Sequence, residues 1–245
     1  MIMLRNIIYI GIVCLLFSCT KEYENNCFDQ QGEIKTEIRE LEPFTSLQVY
    51  DVFNIYLKQD TICYIEIEAS ENYIPYITSG INNGSLCLYN NIECRWSREY
   101  TGINITVHFV NLTFIKNHET CLIESLDTIR GNKINFYVRA PLAEMNLVFN
   151  CNHLEFSTSY TTAGKYVLRG KTGLLQMGIH NSSVIDAQDM IAQNAKIFQN
   201  SIGDMKVNVI NTLDAEIWSK GNILVYNQPG EVVLLKEGKG NLIYK

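Results

Sequence analysis

Polar and apolar residues alternate with a period of two along most of this chain, and long stretches of helical periodicity are absent. Glu33-Ile34-Lys35-Thr36-Glu37-Ile38-Arg39 reads as a strand with one wet face, punctuated by Pro43. Phe44 to Val49 and Val52 to Leu57 follow as strands around Tyr50-Asp51. Cys63 to Ala69 alternates cleanly, with Ile65, Ile67 and Ala69 expected on the buried side. Leu86 to Tyr89, Ile103 to Phe109 and Ile134 to Val138 continue the pattern, and helix is expected only as a short turn around Asn72 to Ile77.

From Leu142 onward the alternation becomes periodic on a larger scale. Thr162 to Tyr166, Ser183 to Ala187, Ser201 to Met205, Ser219 to Ile223 and Gly238 to Leu242 share one pattern and start 21, 18, 18 and 19 residues apart. A fixed period with a turn signal in each copy is the signature of a solenoid. Apolar residues before each turn (Ile179, Ile197, Ile217) and after it (Ala187, Met205, Ile223, Leu242) are expected to stack as an aliphatic ladder about 4.8 Å per rung. Gly164, Gly203, Gly221 and Gly240 hold one place in four copies, which suggests a left-handed backbone angle there. Asp204, Asn222 and Asn241 come next, residue types that tolerate such angles and bond their own turn. Ile185 stands in the glycine's place in the second copy, so that coil is expected to turn by a different geometry.

Phe44-x-x-Leu47-x-Val49-x-x-Val52-Phe53-Asn54-Ile55-x-Leu57-x-Gln59, followed by the ordered Ser-x-Gly-Asn/Asp coils and Ser219 to Pro229, resembles the head GIN domain of putative auto-transporter adhesins. The resemblance covers roughly residues 41 to 245. It implies an all-β fold, a single-stranded right-handed parallel β-helix with coils of about 18 to 21 residues, often on exported lipoproteins. The family supplies no catalytic residues to carry over.

Composition agrees with an all-β chain: 47% hydrophobic and 19% charged residues in 245, with only four prolines. Arg5, the apolar run from Ile7 to Phe17, and Leu16-Phe17-Ser18-Cys19 have the layout of a lipoprotein signal, too short to span a bilayer. Residues 1–18 are therefore read as a signal peptide, Cys19 as the lipidated residue, 19–31 as a tether and 32–245 as one β-helical domain. The charges after Cys19, Lys21-Glu22-Tyr23-Glu24, read first as a solvated linker, with a loose resemblance to a surface-export signal of gut-type Gram-negative bacteria as the alternative. The expected address is the cell envelope, as an outer-membrane lipoprotein facing the periplasm or the exterior. With residues 1–18 removed, 19 basic residues face 26 acidic ones, a net charge of −7, which argues against nucleic acid. Cys27, Cys63, Cys87, Cys94, Cys121 and Cys151 then remain, and spacing alone leaves disulfides and buried thiols both open.

Chemistry-bearing residues are sparse. Asp186 and Asp204, with Asn222, recur every 18 residues and could stack on adjacent rungs as a carboxylate pair, the arrangement of a polysaccharide lyase or hydrolase. Asp and Asn are also what such turns need. Arg95, Trp96, Arg98 and Tyr100 form a patch suited to stacking on a glycan or gripping a protein ligand. His108, His118, His153 and His180 sit at unrelated coil positions, with His108 expected to face outward, and no metal or cofactor site is indicated. Ser183, Ser201 and Ser219 read as turn and ladder hydroxyls. Asp60-Thr61-Ile62 and Asp127-Thr128-Ile129 resemble a short O-glycosylation signal. The reading that emerges is a non-enzymatic envelope lipoprotein, an adhesin or binding scaffold, with the polysaccharide-acting enzyme as the alternative.

Overall fold

The computed structural model describes residues 32–92 and 102–245, which fall within one compact unit. Cys19, the signal, tether and export segments, Cys27, Cys94 and the patch Arg95, Trp96, Arg98 and Tyr100 lie outside the described residues. The described chain is a β-solenoid of about seven turns, each of about 20 residues. Among the described residues no helix is long and apolar enough to cross a membrane.

Two long ladders run the length of the stack. The front ladder joins β6 (Ser85–Asn90), β2 (Ser46–Val49), β8 (Phe114–Asn117) and β10 (Ile129–Val138), and continues through the second halves of β11 (Leu142–Thr158), β12 (Ala163–Asn181) and β13 (Val184–Ser201). It ends on β14 (Met205–Ile217) and β16 (Glu231–Lys236). The rear ladder joins β7 (Asn104–Phe109), β3 (Asn54–Gln59) and β9 (Cys121–Ser125) to the first halves of β11, β12, β13 and β14, then to β15 (Ile223–Val225) and β17 (Leu242–Tyr244). All of these pairings are parallel, so like positions of successive coils lie one rung apart.

The N-terminal end departs from simple winding. The coil of β2 and β3 lies between the coil of β6 and β7 and that of β8 and β9, so stacking order is not chain order there. Antiparallel strands finish this end: β4 (Tyr64–Ser70) pairs with β7, β1 (Ile34–Glu40) pairs with β4, and β5 (Ile77–Asn82) forms a hairpin with β6. That hairpin turns through Asn83 and Gly84, both at positive φ (49° and 73°), the pattern of a two-residue turn that suits strand twist. The predicted helix between β4 and β5 is a single 3-10 turn, Ile74–Tyr76.

The core follows from strand alternation carried through the register. On the front ladder Leu86, Leu47, Ile115, Phe136, Phe156, Met177, Ile197 and Ala215 form one inward column. On the rear ladder Ile55, Ile123, Met145, Tyr166, Ile185, Met205 and Ile223 form another. All of these are buried, and each aliphatic side chain so removed from water contributes about 1.5–3 kcal/mol. The expected grouping of side chains needs correction. Ile179 and Ile217 flank Gln199 in a neighbouring column rather than sharing one with Ile197, and Ile185, not Ala187, precedes Met205. The reason lies in the register: Asn181, not Ser183, lies beside Ser201, and Ile185 beside Met205, so pairings on both sides of this corner are offset by 20 residues and Ser183 takes the place next to Gly203 that the spacing gave to Ile185.

The glycines also act differently from the expectation. None of Gly164, Gly203, Gly221 and Gly240 has a positive φ. Their missing Cβ atoms matter because the corners of successive coils nearly touch: a Cβ would collide with the carbonyl oxygen of Ala143, Ser183, Gly203 and Gly221 respectively. Beside this column, Ser183 Oγ bonds the Thr162 carbonyl at 3.1 Å, and Gly221 and Gly240 donate their N–H groups to the carbonyls of Ser201 and Ser219 at 2.9 Å each. Cys63, Cys87, Cys121 and Cys151 are buried free thiols, and burial pushes the Cys121 thiol up to about 12.

Gly221→Ala should therefore destabilise by about 2 kcal/mol or more, through overpacking against backbone. Gly80→Ala, where a Cβ meets nothing within 4 Å, should be neutral or slightly stabilising. Denaturant midpoints of the two variants check this, and equal midpoints would refute the close-approach explanation.

Candidate binding face

One residue beyond the last inward position of each front strand, the chain places a side chain on the outer edge of the front face. The column reads Tyr89, Tyr50, His118, Arg139, Ser159, His180, Asn200, Trp218 and Glu237 along the stack, and inter-coil backbone hydrogen bonds carry the ladder out to this edge. It spans about 40 Å at strand spacing. Tyr89 and Tyr50 stack with centroids 4.6 Å apart, and Tyr50 and His118 at 4.2 Å. Further along, Tyr160 lies 4.2 Å from His180, His180 lies 5.5 Å from Phe198, and Phe198 lies 6.4 Å from Trp218. Arg139 occupies the coil between the two ring groups.

Polar contacts fix these rings. Gln48 Oε1 accepts from the Tyr50 hydroxyl at 2.8 Å and from His118 Nε2 at 3.3 Å. His180 Nδ1 donates to the Thr158 carbonyl at 2.8 Å, and Trp218 Nε1 donates to Glu216 at 2.8 Å. Partial burial holds both His118 and His180 below the ordinary histidine value; Lys116 and Arg139 add to the effect at His118, while the Thr158 carbonyl opposes it at His180. Both rings are thereby kept neutral near pH 7, the form that stacks without carrying charge.

Beside this edge the front sheet carries a groove of about 430 Å3. Its outward positions come from four successive coils: Ser157, Gly178, Phe198 and Glu216 in one column, and Glu155, Gln176, Lys196 and Asp214 in the next. Small residues at Ser157 and Gly178 make the trough, Phe198 bounds it along the axis, and charged and amide groups form its long side.

The sequence-nominated aspartates are placed elsewhere and apart. Register sets Asp186 beside Lys206, not Asp204, and the Asp186 carboxylate pairs with Lys206 Nζ at 2.7 Å, which raises the lysine. Asp204 Oδ1 accepts from the Asn222 N–H at 2.7 Å and its amide at 3.0 Å, and Asn222 Oδ1 accepts from the Asn241 N–H at 3.0 Å. Both carboxylates are engaged in tying coil to coil. His108 is not solvent-facing: it is 1% exposed, stacked under Tyr64 at 3.8 Å, with Nδ1 donating to Asp60 at 3.0 Å. The Thr61 N–H and then His108 hold Asp60 below the ordinary carboxylate range. Thr61 is exposed beside it, whereas Ile129 of the second O-glycosylation-like motif is in the core.

Reading by sequence position missed that His118 and His180 share one column with Tyr50, Tyr89 and Trp218. A signal was present: each ring directly follows the last inward residue of its front strand, as in Val49-Tyr50, Leu88-Tyr89, Ile179-His180 and Ile217-Trp218.

A family model described as "Putative auto-transporter adhesin, head GIN domain" matches residues 43–229. Solved structures share the fold at low identity. A putative adhesin from Bacteroides fragilis NCTC 9343 is 18% identical with a TM-score of 0.80, covering 87% of this chain and 97% of its own. A putative lipid binding protein from Parabacteroides distasonis ATCC 8503 is 17% identical with a TM-score of 0.66 over 87% and 97%, and a putative adhesin from Parabacteroides merdae ATCC 43184 is 16% identical with a TM-score of 0.62 over 86% and 97%. No curated protein matches the chain.

His118 and His180 should titrate below the ordinary histidine value in an NMR pH titration. Because their folded pKa values are lowered, the neutral form's contribution to stability is present above the unfolded value and is lost as pH falls through the folded one. Titration of either ring at or above the ordinary value would contradict the burial argument.

Proposed function

Because the chain belongs to the head GIN domain family of putative auto-transporter adhesins, we propose that it is a non-enzymatic, lipid-anchored binding protein of the cell envelope that attaches its ligand along the ringed front face. The observation that carries this reading is the outer column from Tyr89 to Trp218. Tyr50 and Trp218 are fixed by hydrogen bonds within their own strands and His118 and His180 by bonds to the neighbouring coil; Trp218 is 47% exposed, and Tyr160, one residue beyond the column, is 74% exposed. Extended faces of stacked repeats are the usual binding surfaces of solenoids, and exposed aromatics supply the largest contact energy per side chain.

The anchor is part of the same proposal. Acylation at Cys19 would hold the protein in the outer membrane, with residues 19–31 serving as the tether. Charged or amide groups beside the rings suit a glycan or protein ligand. The acidic balance of the chain is unfavourable for nucleic acid.

Two variants test the two halves. Cys19→Ala should move the protein from the membrane to the soluble fraction, and unchanged membrane retention would overturn the anchor. Trp218→Ala, exposed and outside the core, should leave the unfolding midpoint near that of the wild type and weaken cell attachment by roughly 30-fold, the cost of losing one aromatic hot spot. Attachment equal to wild type in Trp218→Ala and Tyr50→Ala together would overturn the assignment of the front face.

A further inference from the structure

We infer that the trough over Ser157 and Gly178 is a subsite for one or two sugar rings of a neutral glycan chain lying along the front face. This rests on the reading of that face as the ligand-binding surface and names its ligand class.

Glycine inside a strand costs about 0.5–1 kcal/mol relative to alanine and often marks a special backbone angle or a place where a neighbouring backbone or a ligand approaches closely. At Gly164, Gly173, Gly203, Gly221 and Gly240 a neighbouring backbone is the reason, because a carbonyl oxygen of the adjacent coil occupies the place of a Cβ. At Gly178 neither structural reason holds. Its φ lies outside the left-handed region, and an added Cβ would meet only Phe198 Cβ at 3.8 Å, an ordinary contact. The space above it is the groove itself. What the absent side chain provides is room on the outer face.

The groove's chemistry narrows the occupant. At about 430 Å3 it lies in the range of small-ligand sites and has the size of one or two sugar rings. Phe198 gives an apolar surface at one end, next to His180, and Gln176, Asp214 and Glu216 offer acceptors and an amide for hydroxyl groups. Glu155, Asp214 and Glu216 outnumber Lys196 in the lining, and Glu155 is itself paired with Lys133 at 3.3 Å. An anionic sugar chain would meet net like charge, so the fit is to neutral or N-acetylated sugars. The ring column beside the trough continues over the other coils, so a chain seated at Gly178 has further rings to stack on in both directions.

The test uses full-length protein in detergent, titrated with mannan, a neutral β-glucan and chitohexaose, with polygalacturonate as the anionic control and unfolded casein as a peptide probe. Binding of at least one neutral or N-acetylated glycan is expected, and polygalacturonate should bind more weakly. Gly178→Val should weaken that binding about tenfold or more while leaving the unfolding midpoint unchanged or higher, since a β-branched residue suits an exposed strand. Phe198→Ala should weaken it similarly. Failure of every neutral glycan to bind at millimolar concentration, preference for polygalacturonate or casein, or unchanged affinity in Gly178→Val would each overturn the inference. If cell attachment still depends on Trp218 in those cases, the binding face stands and only its ligand class falls.

Discussion

Main-chain hydrogen bonding between parallel coils sets the spacing on which everything else in this protein depends. Once successive coils are held one strand apart, each inward side chain must sit on its counterpart in the coil before, and each corner must pass close over the corner below. The first consequence is the continuous columns through Phe136, Phe156 and Met177 on the front ladder and through Tyr166, Ile185 and Met205 on the rear. The second is the glycine column at the corner, where the carbonyl of one coil fills the space that a side chain of the next would need. Polar residues buried along the ladders obey the same geometry. Gln199 donates to the Gly203 and Asn222 carbonyls and accepts from the Ser201 N–H, so it closes three bonds inside a corner that would otherwise leave them open.

The same spacing turns the outside into a ruled surface. Whatever the sequence places after the last inward residue of a front strand is aligned with its equivalents in every other coil. Rings and histidines in those positions consequently stack into a rigid edge, and small residues at Ser157 and Gly178 leave a depression in the sheet beside it. Rigid placement favours binding because little side-chain freedom is lost when a ligand arrives. The Asp/Asn corner residues, by contrast, spend their hydrogen-bonding capacity on the next coil and contribute to the scaffold.

Much of this was legible in the sequence. The strand alternation, the period near 19, the solenoid and the ladder roles of Ser183 and Ser201 all follow from local patterns that the structure reproduces. Register did not follow, because Asn181 and not Ser183 lies beside Ser201, so pairings through this corner are offset by 20 residues where the motif spacing is 18. That slip separates Asp186 from Asp204 and sets it beside Lys206. The glycines were identified for the wrong reason, since close approach between coils is a property of the stack and cannot be seen in a single copy. The insertion of the β2 and β3 coil between two later ones, and the burial of His108 beneath Tyr64, arise from contacts between residues distant in the chain. The ring edge escaped notice because its members are separated by irregular intervals until register aligns them.

The molecule thus divides into a repeating interior that explains stability and one outer edge to which the proposed recognition is assigned. The most direct measurement is hydroxyl-radical footprinting of the protein on cells in suspension and on cells attached to a surface they colonise. Oxidation of Tyr50, Tyr160 and Trp218 on the front edge should fall on attachment, while that of the exposed Tyr244 of the rear ladder and Tyr226, just beyond it, stays the same. Protection of the rear tyrosines with an unchanged front edge would contradict it.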